Sequence, residues 1–185
     1  MNDTSQSNYD AILPKLASAL VELPRSTLQE LAKAVGISKT TLYRYSRTRN
    51  ELIDKLTAYG SHVLTEIIRK AELDVGDPLT ALKRLIAAYL DNSEISTFMM
   101  LYWRNNPSDM QESMASIDKI MDDFFLRGQQ LGVFRIHIPA PALTDGFNSL
   151  LTGLVDAQHR GRVARASVAD VIAHMFLEGT AAPRT

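Results

Sequence analysis

The sequence predicts an all-α fold. Two observations carry this: apolar residues recur at spacings of three and four along most of the 185 residues, and the stretches between them hold helix start and stop signals. Met1–Ser7 is a polar tail. Ile12, Leu13, Leu16, Ala19, Leu20 and Leu23 define a first helix, which Pro14 forces to start near Leu13 or to bend there. Thr27 and Glu30 form a capping box for a second helix, with Leu28, Leu31, Ala32 and Val35 as its buried stripe. Gly36 ends that helix, Ile37 is expected to plug the core, and Ser38 caps a third helix over Lys39–Tyr45.

Thr48 and Glu51 form a second capping box, which opens a long helix over about 49–71. Leu52, Ile53, Leu56, Tyr59, Val63, Leu64, Ile67 and Ile68 mark its buried side. Asp77-Pro78 starts the next helix, with Leu79, Leu82, Leu85, Ile86, Tyr89 and Leu90 inward. Ser93–Arg104 is another, dense in large apolar groups. Asn106-Pro107 restarts the chain, and Met110, Met114, Ile117, Met121, Phe124, Gly128 and Leu131 give a regular stripe up to Gly132. A connector over Phe134–Pro139 leads to two final helices, about Pro141–His159 and Val168–Leu177, the second opened by a Ser167/Asp170 capping box. The tail Thr180–Thr185 is expected to be loose.

Composition sets the limits. Hydrophobic content of 45% and charged content of 22% suit a soluble globular chain with a substantial core. The absence of cysteine removes disulfides, thiolate metal sites and thiol nucleophiles. No apolar run reaches 18 residues and the amino terminus is polar, so a cytoplasmic protein without a membrane span is expected.

Charge is partitioned rather than spread. Residues 25–49 hold six cations (Arg25, Lys33, Lys39, Arg44, Arg47, Arg49) against one acid (Glu30), a local net of +5 in a chain of net −1. A field confined to one segment is what a local encounter with a polyanion requires. Leu42 is the one inward anchor of the third helix, so Lys39, Thr40, Tyr43 and Arg44 face outward. Cations, a hydroxyl and a phenol suit phosphates and base edges. The segment reads as a helix-turn-helix with Ser38–Tyr45 as recognition helix.

The run Leu31-Ala32-Lys33-Ala34-Val35-Gly36-Ile37-Ser38-Lys39-Thr40-Thr41-Leu42-Tyr43-Arg44-Tyr45, continuing to Leu52, resembles the DNA-binding domain of the TetR family of bacterial transcriptional regulators. Three features depart from the family pattern. Ser46 stands where a buried Phe is usual, and Arg49 where Lys is usual. The Leu23–Ser26 connection is also shorter than usual. Tyr45 or Tyr59 is expected to fill the space the missing Phe leaves. The resemblance implies DNA contacts from Thr27, Ser38, Lys39, Thr40, Thr41, Tyr43, Arg44, Tyr45, Arg47 and Arg49. It also implies a division into a DNA-binding domain over 1–48 and a ligand-sensing and dimerisation domain over 49–185, bridged by the long helix.

In the second domain, Gly146, Ser149, Gly153 and Ala157 draw a ridge of small residues down one side of the penultimate helix. Such a ridge lets another helix approach closely. The resemblance implies a homodimer through the last two helices, with Gly146, Leu150, Gly153, Leu154, Ala157, Val171 and Met175 at the interface. The paired recognition helices would then read a palindromic operator in double-stranded DNA. Five of the seven methionines fall within 99–121 among aromatic residues. They form either a plain helical core or an adaptable pocket for a small, largely apolar or aromatic effector, with Phe98, Tyr102, Trp103, Met114, Met121, Phe125 and Phe147 as its candidate lining.

Catalysis has no support. The four histidines are scattered singly, Gly128-x-x-x-Gly132 lacks the context of a phosphate loop, and Asp122-Asp123 point about 100° apart on a helix. No catalytic residue, metal site or cofactor is expected. The alternative to a ligand-released repressor is a helix-turn-helix protein that works without a ligand or is gated by a protein partner.

Overall fold

A computed structural model describes residues 11–105 and 111–180, with side chains at 103–105 and 111–114 left out. Both tails, the Asn106-Pro107 restart, Met110, and the side chains of Trp103 and Met114 therefore lie outside the described residues. Nine α-helices form among the described residues: α1 Leu13–Glu22, α2 Leu28–Ala34, α3 Lys39–Tyr45, α4 Arg49–Ala71, α5 Pro78–Asp91, α6 Ser93–Asn105, α7 Gln111–Gln130, α8 Ala140–His159 and α9 Val168–Thr180.

Two compact units divide them. One holds α1, α2, α3, α4 as far as Thr65, and α6; the other holds α4 from Glu66, α5, α7, α8 and α9. This division differs from a boundary at residue 48, because α6 joins the N-terminal helices. Its apolar residues Ile95, Phe98 and Met99 are buried, α6 packs on α1, and the Met99 side chain occupies the space beside Gly60 of α4 where a Cβ would otherwise stand.

Within the first unit, α1 begins at Leu13 and carries Pro14 in its first turn, where the missing N–H has no helical partner to lose. It buries Leu13, Leu16, Ala17, Ala19 and Leu20. α2 buries Leu28, Leu31 and Ala32, while Val35 and Ile37 are only half-buried. Gly36 adopts φ +75°, and the Ile37 N–H donates to the Ala32 carbonyl at 2.9 Å, closing the helix end. α4 buries Leu52, Ile53, Leu56, Val63 and Ile67, with Tyr59, Leu64 and Ile68 at its half-buried edges.

In the second unit, Asp77 Oδ2 accepts the Thr80 N–H at 2.9 Å and caps α5, with Pro78 in the first turn. Five phenylalanines (Phe124, Phe125, Phe134, Phe147, Phe176) pack with ring centroids 5.0–6.2 Å apart and join α7, α8 and α9. Phe134 seats against Gly128 of α7, in the space a Cβ would occupy. The stripe expected to reach Leu131 stops earlier: α7 ends at Gln130, and Leu131 is 59% exposed beside Gly132, whose φ is +71°. α9 runs on to Thr180, three residues beyond the expected end, and the Thr180 carbonyl accepts the Arg135 N–H at 2.8 Å.

Ser46 is fully buried, and its hydroxyl has no hydrogen-bond partner among the described residues. An unpaired buried hydroxyl costs about 1–3 kcal/mol, and overpacking a buried site costs a similar amount. Ser46→Ala is therefore expected to raise the thermal midpoint and Ser46→Phe to lower it, as read by circular dichroism melting.

Candidate nucleic-acid interface

The recognition helix α3 is only seven residues long, and each of its ends is held by a neighbour. At its start, Ser38 Oγ accepts the Thr41 N–H at 3.0 Å and meets Thr41 Oγ1 at 2.8 Å. In the middle, Leu42 is the one fully buried side chain. Toward α2, Lys39 Nζ donates to Gln29 Oε1 at 3.3 Å while lying 5.2 Å from the centre of the Tyr43 ring. At the far end, Lys55 of α4 donates to the Tyr45 carbonyl and lies 4.6 Å above the Tyr45 ring.

α2 is set by the expected capping box. Thr27 Oγ1 accepts the Glu30 N–H at 3.3 Å, and Glu30 Oε2 accepts the Thr27 N–H and hydroxyl, both at 2.8 Å. The cap at the start of α4 is different from the expected reciprocal box. Thr48 Oγ1 accepts the Glu51 N–H at 3.1 Å, but Glu51 Oε2 reaches past Thr48 to the Arg47 N–H at 2.8 Å. Its other oxygen, Oε1, takes the Lys55 ammonium at 2.8 Å, and this second tether turns the carboxylate toward the α3–α4 connection.

Both carboxyls sit below their ordinary range. The Thr27 backbone and hydroxyl hold Glu30 down, and for Glu51 the Lys55 hydrogen bond leads, followed by the Arg47 N–H. Each cap is therefore complete above the ordinary glutamate pKa and is lost only as pH falls through the lowered value.

The ten residues singled out for DNA fall into two groups. Thr40, Tyr43, Arg44 and Arg47 are exposed around α3 and the turn after it, and Lys39 is exposed while leaning toward α2. Thr27, Ser38 and Thr41 are engaged in the caps, Tyr45 is half-buried beneath Lys55, and Arg49 Nη2 donates to the Pro24 carbonyl at 2.7 Å. Arg49 thus ties the start of α4 to the α1–α2 connection. Sequence reasoning passed over Lys55, although a glutamate four residues ahead of a lysine on one helix signals the pair.

In the second unit, the proposed pocket residues Phe125 and Phe147 meet in the phenylalanine core at 6.2 Å between ring centres. Met121 is buried in the same unit. Phe98 and Tyr102 stack at 5.7 Å in the first unit. A cleft of about 480 Å³ lies elsewhere in the second unit. Ile68, Leu73, Ile120 and Phe124 line it, with Arg69, Glu72, Asp74, Asp123 and Arg127 around them, and Phe98, Tyr102, Met121, Phe125 and Phe147 are not among them. Asp122 and Asp123 have separate partners, the Thr144 hydroxyl at 2.6 Å and the Lys119 ammonium at 2.6 Å. Of the expected interface residues, Gly146, Gly153 and Met175 are exposed and Leu150, Leu154, Ala157 and Val171 are half-buried.

Among the described residues, no helix is long and apolar enough to cross a membrane. No protein-family model matches the chain. It is 42% identical over 180 residues to the HTH-type transcriptional regulator NfxB of Pseudomonas aeruginosa, covering 96% of both chains. Among solved structures it is similar to the TetR-like regulator LfrR of Mycobacterium smegmatis in complex with proflavine, with TM-score 0.64 and 25% identity over 92% of this chain and 94% of that one. The ketosteroid transcriptional regulator KstR2 of Mycobacterium tuberculosis shares the fold at TM-score 0.72 and 17% identity, covering 99% and 97%. With a capped, outward-facing recognition helix and a relative of this identity along almost its whole length, the chain belongs to the TetR family of transcriptional regulators.

Proposed function

We propose that the protein is a cytoplasmic repressor that binds a palindromic operator as a homodimer through α3 and is released by a small, largely apolar or aromatic effector. The observation that carries the reading is the outward face of α3. Thr40, Tyr43 and Arg44 are exposed on a helix whose one buried side chain is Leu42, with Arg47 exposed just beyond it. Lys39 and Tyr43 are placed for phosphates, Thr40 and Arg44 for base edges.

Dimerisation is supported by the outer face of α8 and α9. A Cβ built on Gly146 or Gly153 meets nothing within 4 Å, so the chain's own packing gives no reason for glycine there. Glycine in a helix interior costs roughly 0.5–1 kcal/mol relative to alanine, a cost that a close helix–helix approach in a dimer would offset. Met175 is 57% exposed on α9 and would be covered by the same contact. A two-fold pair of such chains, with recognition helices about 34 Å apart, meets successive major grooves on one face of DNA. Binding of an effector is supported by the similar LfrR, solved in complex with proflavine.

Selection of bound sequences from a random duplex pool is expected to yield a two-fold symmetric site; asymmetric or absent enrichment would count against the reading. On that site, Arg44→Ala is expected to cost about 1–3 kcal/mol and to relax base preference, whereas Lys39→Ala weakens binding evenly and lowers the salt slope by about one. Equal affinity and preference after Arg44→Ala would refute the docking. Gly153→Leu is expected to leave the helical signal intact and to convert dimer to monomer in analytical ultracentrifugation, and a persisting dimer would contradict the assigned face.

A further inference from the structure

The ammonium of Lys55 touches three groups. It donates to the Tyr45 carbonyl and to Glu51 Oε1, and it lies 4.6 Å above the Tyr45 ring. An ordinary exposed lysine–glutamate pair four residues apart on a helix contributes little to stability. The other two contacts set this one apart. Tyr45 is the last residue of α3, so its carbonyl carries part of the negative end of the helix dipole. A cation placed there satisfies the carbonyl, and it comes from α4 rather than from α3 itself.

Glu51 extends the contact into the turn. One carboxylate oxygen takes Lys55, and the other takes the Arg47 N–H, in the middle of the connection between the helices. The chain Arg47 N–H, Glu51, Lys55, Tyr45 carbonyl therefore spans the whole α3–α4 corner with charge-assisted bonds. The hydrophobic hold on α3 is slight, since Leu42 is its one buried side chain. A single knob fixes where a short helix sits better than it fixes the direction in which it points. That direction falls to the polar tethers at its ends: Ser38 and Lys39 at the start, Lys55 at the finish.

We infer that Lys55 is a positioning residue for operator binding: reaching from α4, it clamps the C-terminal end of the recognition helix and, through Glu51, the turn that carries Arg47, without itself touching DNA. The inference rests on α3 being the DNA-reading element. It adds the way α4 sets the aim of that element, so any effector that displaces α4 carries Lys55 and the end of α3 with it.

The test uses the full-length chain and the duplex selected as above, with binding measured by fluorescence anisotropy across a salt series. Lys55→Met keeps the aliphatic stem and removes the charge. Losing hydrogen bonds to a charged group corresponds to roughly tenfold weaker binding, and the salt slope should stay that of the parent because no phosphate contact is lost. Lys55→Arg is expected to recover most of the affinity. The doubly substituted Lys55→Met/Glu51→Gln chain should bind no worse than Lys55→Met alone, since both changes break one clamp. Unchanged affinity after Lys55→Met overturns the inference. So does a salt slope that falls by about one, which would make Lys55 a phosphate anchor. If Lys55→Met loses its helical circular dichroism, Glu51→Gln decides: weaker binding at the parent's slope supports the clamp, and parental affinity refutes it. A parent chain that binds no duplex at all removes the DNA-reading role of α3 and the clamp together.

Discussion

The recognition helix has two turns, and a helix of that length does not persist in water because nucleation costs more than so few hydrogen bonds return. Everything around α3 answers that deficit. Burying Leu42 contributes about 1.5–3 kcal/mol. The Ser38 cap adds about 1 kcal/mol and sets where the helix starts. Gly36, at φ +75°, turns the chain sharply enough for α2 and α3 to share one core, a backbone angle that a residue with a Cβ adopts only with strain. The remaining tethers come from outside α3, from Gln29 on α2 and Lys55 on α4. α3 is thus shaped mainly by its neighbours.

Part of the local excess of positive charge is used within the fold. Arg49 is spent on the Pro24 carbonyl and Lys55 on the end of α3. Glu30 and Glu51 are engaged in helix caps. What faces outward is Thr40, Tyr43, Arg44 and Arg47, with Lys39 leaning toward α2. The Glu30 and Glu51 carboxylates nearby accept backbone N–H groups while staying at the surface.

Glycine serves opposite ends in the two long helices of the second unit. On α7, Gly128 receives the Phe134 ring and helps close the phenylalanine core. On α8, Gly146 and Gly153 border open space, while Leu143, Phe147, Leu151 and Val155 on the inward side bury the core contact. One helix therefore carries a finished face and an unfinished one. The cleft between the end of α4 and α7 is a separate feature, with an apolar floor and a charged rim, and Arg127 braces its wall by donating to the carbonyls of Leu73 and Gly76.

The helices, most of their limits and the outward face of α3 were legible in the sequence, because capping and amphipathic spacing act within about four residues along the chain. Thr27 with Glu30, Ser38, Asp77-Pro78 and the solitary Leu42 could all be recognised without knowing what lay across from them. Other features depended on partners distant in sequence. That Arg49 also donates to the Pro24 carbonyl, 25 residues away, is not legible in the sequence. Leu131 fits the α7 stripe by spacing, yet falls past the helix end and into solvent. The sequence by itself determined an all-α chain with a short, cationic recognition helix. Only the tertiary structure decided that α6 packs with the N-terminal helices, that the phenylalanines close into a core, and that Lys55 secures the end of α3, because each of these rests on contacts between helices that periodicity cannot pair.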